Sequence, residues 1–358
     1  MSDRTQSRGV LPSQALEKLV AQGQIRARTP VVADQIQPSS IDLRLGHEAH
    51  RVRASFLAKS PATISSKLEE YRLHTLNLEH SAVFEKGCVY IVPLLEELAL
   101  PEGISGKANP KSSTGRLDIF TRLITDEGRQ FEMVPSGYHG RLFAEVVPQT
   151  FSVVVRQGER LSQLRLFEGE GPEHRRSEEE VSQDLRLSVD LAGINGSNII
   201  GYRARKHAPL IDLAKLQHYD PEEFWDPIRR NSTGSLILDP DDFYILASRE
   251  KVRIPAQYAA EMVPFDATIG EFRTHYAGFF DPGFGCGANG GDGEGTRAVL
   301  EVRSHEVPFV MEDGQIVASL FFEKLTELPK LLYGEGIGSS YQRQGLKLSK
   351  HFRAPSPS

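Results

Sequence analysis

The stretch Lys111-Ser112-Ser113-Thr114-Gly115-Arg116 carries the side chains best suited to gripping a charged ligand. Hydroxyls and backbone amides donate to phosphate oxygens, and the glycine permits a tight turn. Lys111 and Arg116 add a point charge and a planar fork. Such a set can wrap a polyphosphate; taken alone, it more often marks a solvated polar turn between strands. It has company, however. Gln37-Pro38-Ser39-Ser40-Ile41-Asp42-Leu43-Arg44-Leu45-Gly46 precedes it, and Gly137-Tyr138-His139-Gly140 leads to Glu145. Further on, Ala277-Gly278-Phe279-Phe280-Asp281-Pro282-Gly283-Phe284-Gly285 leads to Glu301. Other tempting motifs fail on context. His47-Glu48-Ala49-His50 lacks the spacing that puts two histidines on one helical face. Gly334, Gly336 and Gly338 lack the strand–helix setting of a dinucleotide fingerprint. The seven glycines from Gly283 to Gly295 have no following Gly-Lys-Ser/Thr and read as a hairpin tip. Asn231-Ser232-Thr233 is a glycosylation sequon without a secretion signal.

The elements that must position these residues are mostly strands, and they occur twice. Tyr90-Ile91 stands eleven residues before Pro101, as Tyr244-Ile245 stands before Pro255. Glu145 precedes Gly158 by thirteen residues, and Glu301 precedes Gly314 by the same interval. The segments from Gln157 and from Asp313 correspond at an offset of 156, and Ser40-Ile41-Asp42-Leu43 echoes Ser188-Val189-Asp190-Leu191. A period this long signals a duplicated domain rather than a solenoid. The runs VYIVPL, RLFAEVV, FSVVVR, LSQLRLF, FYILAS, RAVLEV and IVASLFF read as short strands separated by turn residues. Leu16, Leu19 and Val20 share one face of a short helix, and Trp225 sits in a helical or turn excursion. The expected architecture is all-β with a few short helices. It comprises a first repeat over 1–168, a charged linker over 169–186, a second repeat over 187–326 and a tail over 327–358.

Composition narrows the function. The chain has 358 residues, 39% hydrophobic, and a net charge of −6. That balance argues against a general nucleic-acid or membrane-surface partner. No apolar run approaches a spanning helix, and the first residues lack a signal-peptide core. The two cysteines, Cys88 and Cys286, exclude a disulfide framework and any all-cysteine zinc site. A cytoplasmic enzyme or binding protein is expected, with self-association left open.

Taken together, these motifs resemble the deoxycytidine triphosphate deaminase family, which shares a trimeric β-fold with the deoxyuridine triphosphatases. The stretch Gln37–Gly46 resembles its first motif, Lys111–Arg116 its phosphate-binding motif and Ala277–Gly285 its nucleoside-binding hairpin. Tyr333 and Tyr341, followed by Gln342-Arg343-Gln344, resemble the glutamine-rich tail that closes over nucleotide. A usual family member is about half this length, so the resemblance implies a duplicated form with two tandem deoxyuridine triphosphatase-like distorted β-barrels.

Each copy departs from the family pattern differently. The first copy has Val134-Pro135-Ser136-Gly137 where the family has Asp-Pro-Gly. The second keeps Asp281-Pro282-Gly283 but has Asp266-Ala267-Thr268-Ile269-Gly270-Glu271 in place of the phosphate motif. That acidic pair would repel a triphosphate. Family sites lie between barrels, so these departures imply one composite site, with phosphates on the first copy and the nucleoside on the second. Double-length herpesviral deoxyuridine triphosphatases look similar in principle.

The resemblance implies hydrolysis of deoxycytidine triphosphate to deoxyuridine triphosphate and ammonia, a step toward thymidylate precursors. A single carboxylate can shuttle the protons, best with its pKa raised by apolar neighbours. Glu301 and Glu145 are the two candidates. Glu301 is preferred because it shares a hairpin with Asp281. Lys111, Ser112, Ser113, Arg116, Ala277, Asp281, Phe284, Tyr333, Tyr341 and Gln344 are the expected substrate contacts. Magnesium is expected to accompany the triphosphate. No zinc is expected, since the C-x-x-C of zinc nucleobase deaminases is missing. The alternatives are pyrophosphate release from deoxyuridine triphosphate, a bifunctional enzyme performing both reactions, or a non-catalytic nucleotide-binding module. The tail is expected to be mobile without ligand.

Overall fold

A computed structural model describes residues 8–59, 61–126, 128–169, 185–194, 196–264, 272–275, 278–287, 293–304, 307–334 and 345–354. The sequence repeat is a structural repeat. In the first half, Ser162–Glu168 pairs antiparallel with Ile104–Pro110 and with Ile41–Leu43. A second sheet runs Arg72–Asn77, Glu48–Val52, Val89–Ala99, His139–Pro148, Ile119–Thr125. In the second half, Ile316–Lys324 pairs with Tyr258–Pro264 and with Leu185–Ser188. Its other sheet runs Trp225–Arg229, Ile199–Ala204, Phe243–Val252, Thr296–Ser304, Phe272–His275. The strands around each half form a β-barrel-like fold, as the double run of turn-punctuated apolar segments predicts.

The register places the two glutamates alike. Glu145 lies opposite Ile91 and Glu301 opposite Ile245. Strand alternation then decides what each one faces. In the first half, Leu142, Ala144 and Val146 point into the barrel core, whereas Phe143 points outward against Ile64 and Leu68. These two belong to a helix, Ile64–Tyr71, whose start Thr63 caps by accepting from the Ser66 N–H. Glu145 shares Phe143's outward side, so the first copy's own helix covers that face. In the second half, Ala298, Leu300 and Val302 fill the barrel core. The outward-facing Val299, together with Phe243 and Ile245, joins the large core built by the first half. Glu301 therefore faces the other copy.

The stretch that forms the covering helix in the first copy does something else in the second. Ile211–Asp212 crosses over and adds a parallel strand to Val153–Val155 of the first half. Pro221–Phe224 makes one helical turn behind the Asp220 cap, and Trp225 opens a strand rather than extending the excursion. Trp225, Phe224, Phe151 and Phe352 pack edge to face, which ties both halves and the C-terminal segment together. Residues 170–184, most of the expected linker, lie outside the described residues. No helix among the described residues is long and apolar enough to cross a membrane.

Candidate active site

A cleft enclosing about 60 Å³ lies where the two copies meet. The first copy lines it with Pro110, Lys111, Ser112, Gly115 and Arg116. The second lines it with Met262, Gly278, Phe279, Phe280, Asp281, Phe284, Val299 and Glu301, and Tyr333 follows from the tail. The phosphate-type motif and the retained hairpin are thus brought together from opposite halves. Ser112–Gly115 forms a single helical turn after the strand Ile104–Pro110, which presents Lys111 and Ser112 at the strand end. The Lys111 Nζ is held by Asp42 at 2.5 Å, the acidic residue of the Ser-Ser-Ile-Asp-Leu stretch. Ser113 points elsewhere. It lines a neighbouring cavity of about 340 Å³ with Lys111, Lys350 and His351.

Glu301 is 4% exposed, and burial pushes its carboxyl up to about 8. The Arg116 guanidinium opposes that rise, with Nε 3.9 Å from Oε1. Arg116, expected to be a fork for phosphate, is itself 3% exposed and donates through Nη1 to the Lys347 carbonyl at 2.9 Å. Its geometry serves the acid end of the cleft at least as directly as the phosphate end. Asp281 is also buried, and burial raises its carboxyl against the opposing charge of Arg165. Ser39 donates to its Oδ1 at 2.6 Å. Phe284 stacks edge-on with Phe280 and packs against Tyr333, ring centroids 5.0 and 5.3 Å apart. The Tyr333 N–H is fixed by the Pro282 carbonyl.

Glu145 is outside this cleft. Arg122, directly opposite it in the neighbouring strand, donates to Oε1 through Nε at 3.0 Å and Nη2 at 2.5 Å. The same guanidinium lies over the Phe131 ring. A carboxylate so held is a structural ion pair, and of the two glutamates only Glu301 opens to the cleft.

Ala277, Tyr341, Gln344 and the acidic segment from Asp266 to Glu271 lie outside the described residues. The last part of the tail is docked on the body of the protein. Phe352 is 5% exposed among aromatic rings, Ser349 donates to the Ser113 carbonyl, and backbone bonds join His218 to His351 and Arg353 to Tyr219. Aromatic burial docks this end, and the polar composition of the preceding segment concealed it.

Arg165 was missed by the sequence reading. Its side chain is fully buried between the copies, where it pairs with Glu323 at 2.6 Å, bonds the Ala260 and Phe280 carbonyls and covers the Phe279 ring at 3.9 Å. The available signal was one arginine inside the apolar strand Ser162–Glu168, since a buried charge needs a dedicated partner. Ser39 was visible only as part of a motif. Among the described residues, no three His, Cys, Asp or Glu side chains cluster as metal ligands.

Comparison with known proteins agrees with this two-part construction. A family model described as the 2'-deoxycytidine 5'-triphosphate deaminase N-terminal domain matches residues 7–170. Its C-terminal counterpart matches residues 159–352. A dCTP deaminase, dUMP-forming, from Methanothermobacter thermautotrophicus is 29% identical over 116 residues, 31% of this chain and 54% of that protein. The chain thus spans about half the length of that relative. A dCTP deaminase, dUMP-forming, from Halobacterium salinarum is 32% identical over 172 residues, 46% of this chain and 81% of that protein. The crystal structure of 2'-deoxycytidine 5'-triphosphate deaminase from Agrobacterium tumefaciens is 47% identical and superposes with a TM-score of 0.82, covering 89% of this chain and 99% of that one.

Proposed function

The chain belongs to the 2'-deoxycytidine 5'-triphosphate deaminase family, a hydrolase of deoxynucleotide metabolism, and we propose that it deaminates dCTP at one composite site between its two copies. The observation that carries this reading is the cleft itself: Lys111 and Ser112 come from one copy, Asp281 and Glu301 from the other. The magnesium–nucleotide complex is the substrate, with Lys111 and Ser112 on its phosphates. Asp281, fixed by Ser39, orients the sugar and base against Phe284 and Tyr333.

Glu301 moves the protons. Its ionised form takes a proton from the water attacking C4, and the carboxylic acid so formed delivers that proton to the ring nitrogen. A second pass carries the proton of the new C4 hydroxyl to the departing amino group, so the C4 carbonyl forms, ammonia leaves and uracil remains. A carboxyl near 8 accepts and returns a proton with little driving force lost in either direction. Arg116 stabilises the ionised form between passes. We propose a cytoplasmic setting, which suits a chain whose two cysteines, Cys88 and Cys286, cannot form a disulfide framework.

We further propose deoxyuridine triphosphate as the product, leaving the triphosphate intact. The second reading, release of dUMP and pyrophosphate, is favoured by the dUMP-forming names of two relatives and by the buried Asp281 carboxyl in the same cleft. One assay with dCTP decides, reading ammonia and pyrophosphate separately. Ammonia alone supports deamination to dUTP, equal amounts of both support the second reading, and neither product would leave a binding module.

A further inference from the structure

Two residues beyond each member of the Arg116–Glu301 pair, a second ion pair of opposite sense joins the same segments. Asp118, 1% exposed, receives the Arg303 guanidinium on Oδ2. Thr150 donates to that oxygen at 2.5 Å, and Arg303 Nη2 donates to Thr150 Oγ1 at 3.0 Å. Arg303 Nη1 also holds the Asp241 carbonyl at 2.6 Å. The Asp118 backbone is fixed at both ends, its N–H to the Gly115 carbonyl and its carbonyl to the Gln149 N–H, each at 2.8 Å. Its φ of 55° is left-handed, a conformation costly for most residues with a β-carbon and held only where the surroundings over-determine it.

Charge order gives this arrangement its specificity. The first copy presents cation then anion, Arg116 and Asp118; the second presents anion then cation, Glu301 and Arg303. Only one register satisfies both rungs. A slip of two residues would set Arg116 against Arg303, or Asp118 against Glu301, bringing like charges together where solvent screening is weak. Arg303 shares a strand face with Glu301, so whatever fixes the guanidinium also fixes the carboxyl.

We propose that Asp118 and Arg303 are positioning residues for deamination, pinning the Glu301 strand to the phosphate-motif loop and setting the separation between Arg116 and Glu301. The proposal rests on Glu301 as the proton carrier. Neither residue lines the cleft; Asp118 acts on Glu301 through the Arg116–Glu301 separation and by its own charge, which raises that carboxyl, so the effect belongs in kcat rather than in substrate affinity.

Asp118→Asn tests it. Asparagine tolerates the left-handed backbone and keeps a hydrogen bond to Thr150 while removing the charge. Asp118→Asn and Arg303→Met should each lower kcat at least about tenfold with KM for dCTP within about threefold, since small misplacements of reacting groups act on the chemical step. The double variant should be no worse than the poorer single one, because both remove one interaction. Unchanged kcat in either folded variant, or a loss confined to KM or melting temperature, would overturn the proposal. If Arg303→Met does not fold, Asp118→Gly, which suits a φ of 55°, carries the same test. Failure of the underlying reading looks different: Glu301→Gln would then retain turnover, whereas failure of this proposal alone leaves Glu301→Gln inactive and Asp118→Asn at full speed.

Discussion

Glu145 and Glu301 occupy equivalent strands in equivalent register, yet their surroundings have diverged. Opposite Glu145 stands Arg122; opposite Glu301, at the matching position, stands His275. The first carboxyl is paired with Arg122 within its own sheet, on the strand face that packs Phe143 against the helix Ile64–Tyr71. The second has its strand's outward face turned to the other copy and meets Arg116 only at 3.9 Å. Desolvation dominates where pairing is loose, and the pKa rises. Duplication thus left one glutamate paired within its own sheet and the other buried against the opposite copy. A cross-strand cation separates two carboxyls that share strand, register and burial.

The largest expected effect comes from exchanging these roles. Glu301→Gln should reduce kcat by about 10³-fold while dCTP still binds. Glu145→Gln should leave kcat within a few-fold but cost about 1–3 kcal/mol of stability, since Arg122 loses its partner. Steady-state kinetics and denaturant unfolding check both, and the reverse pattern would assign proton transfer to Glu145. Next is the segment that replaces the covering helix in the second copy. Phe352→Ala should cost about 3 kcal/mol or more by emptying the ring cluster around Phe224 and Trp225. Thermal or urea unfolding reads the loss; a variant as stable as the parent would show that this end does not hold the crossing.

The first copy's cross-strand cation can be installed in the second. His275→Arg, at the position that the strand register pairs with Glu301, should lower the Glu301 pKa and reduce kcat about tenfold as proton affinity falls. The pH profile of kcat/KM should shift with it. With the ionised form as the base, kcat/KM in the parent should fall as pH drops below about 8; in His275→Arg that limb should move to lower pH.

Stability carries the smallest signature. Glu301 titrates near 8 in the folded chain against an ordinary value of 4.5, so the folded state binds the proton more tightly. The stability tied to that proton is complete below 4.5 and is lost as pH rises through about 8. Glu301→Gln should therefore melt a few degrees above the parent at pH above 8, with the advantage vanishing below 4.5. A constant difference across that range would contradict burial as the source of the shift.

Much of this was legible in the sequence because it is local or periodic. The duplicated strand runs, the Lys111–Arg116 motif and the hairpin at Asp281 announce themselves by residue type and spacing. Complementary losses in the two copies pointed to a shared cleft, and the structure puts Lys111, Ser112, Asp281 and Glu301 on its walls. What stayed hidden depends on distant partners. Arg122 and Glu145 are 23 residues apart and meet only once strand register is known. Arg165 and Glu323 lie in different copies. Asp118 carries no local signal, because its left-handed backbone and its bond to Arg303 depend on the fold. The helix Ile64–Tyr71 buries only Ile64 and Leu68, too sparse an apolar pattern to stand out. Phe352 sits in a polar tail whose docking no local pattern encodes.

Two copies that build one site bind one nucleotide. Calorimetric titration of the Glu301→Gln chain with magnesium and dCTP measures this directly, because binding persists without turnover. One nucleotide should bind per chain, with Lys111→Ala abolishing the heat. Two nucleotides per chain, or binding indifferent to Lys111, would mean that each copy retains its own site.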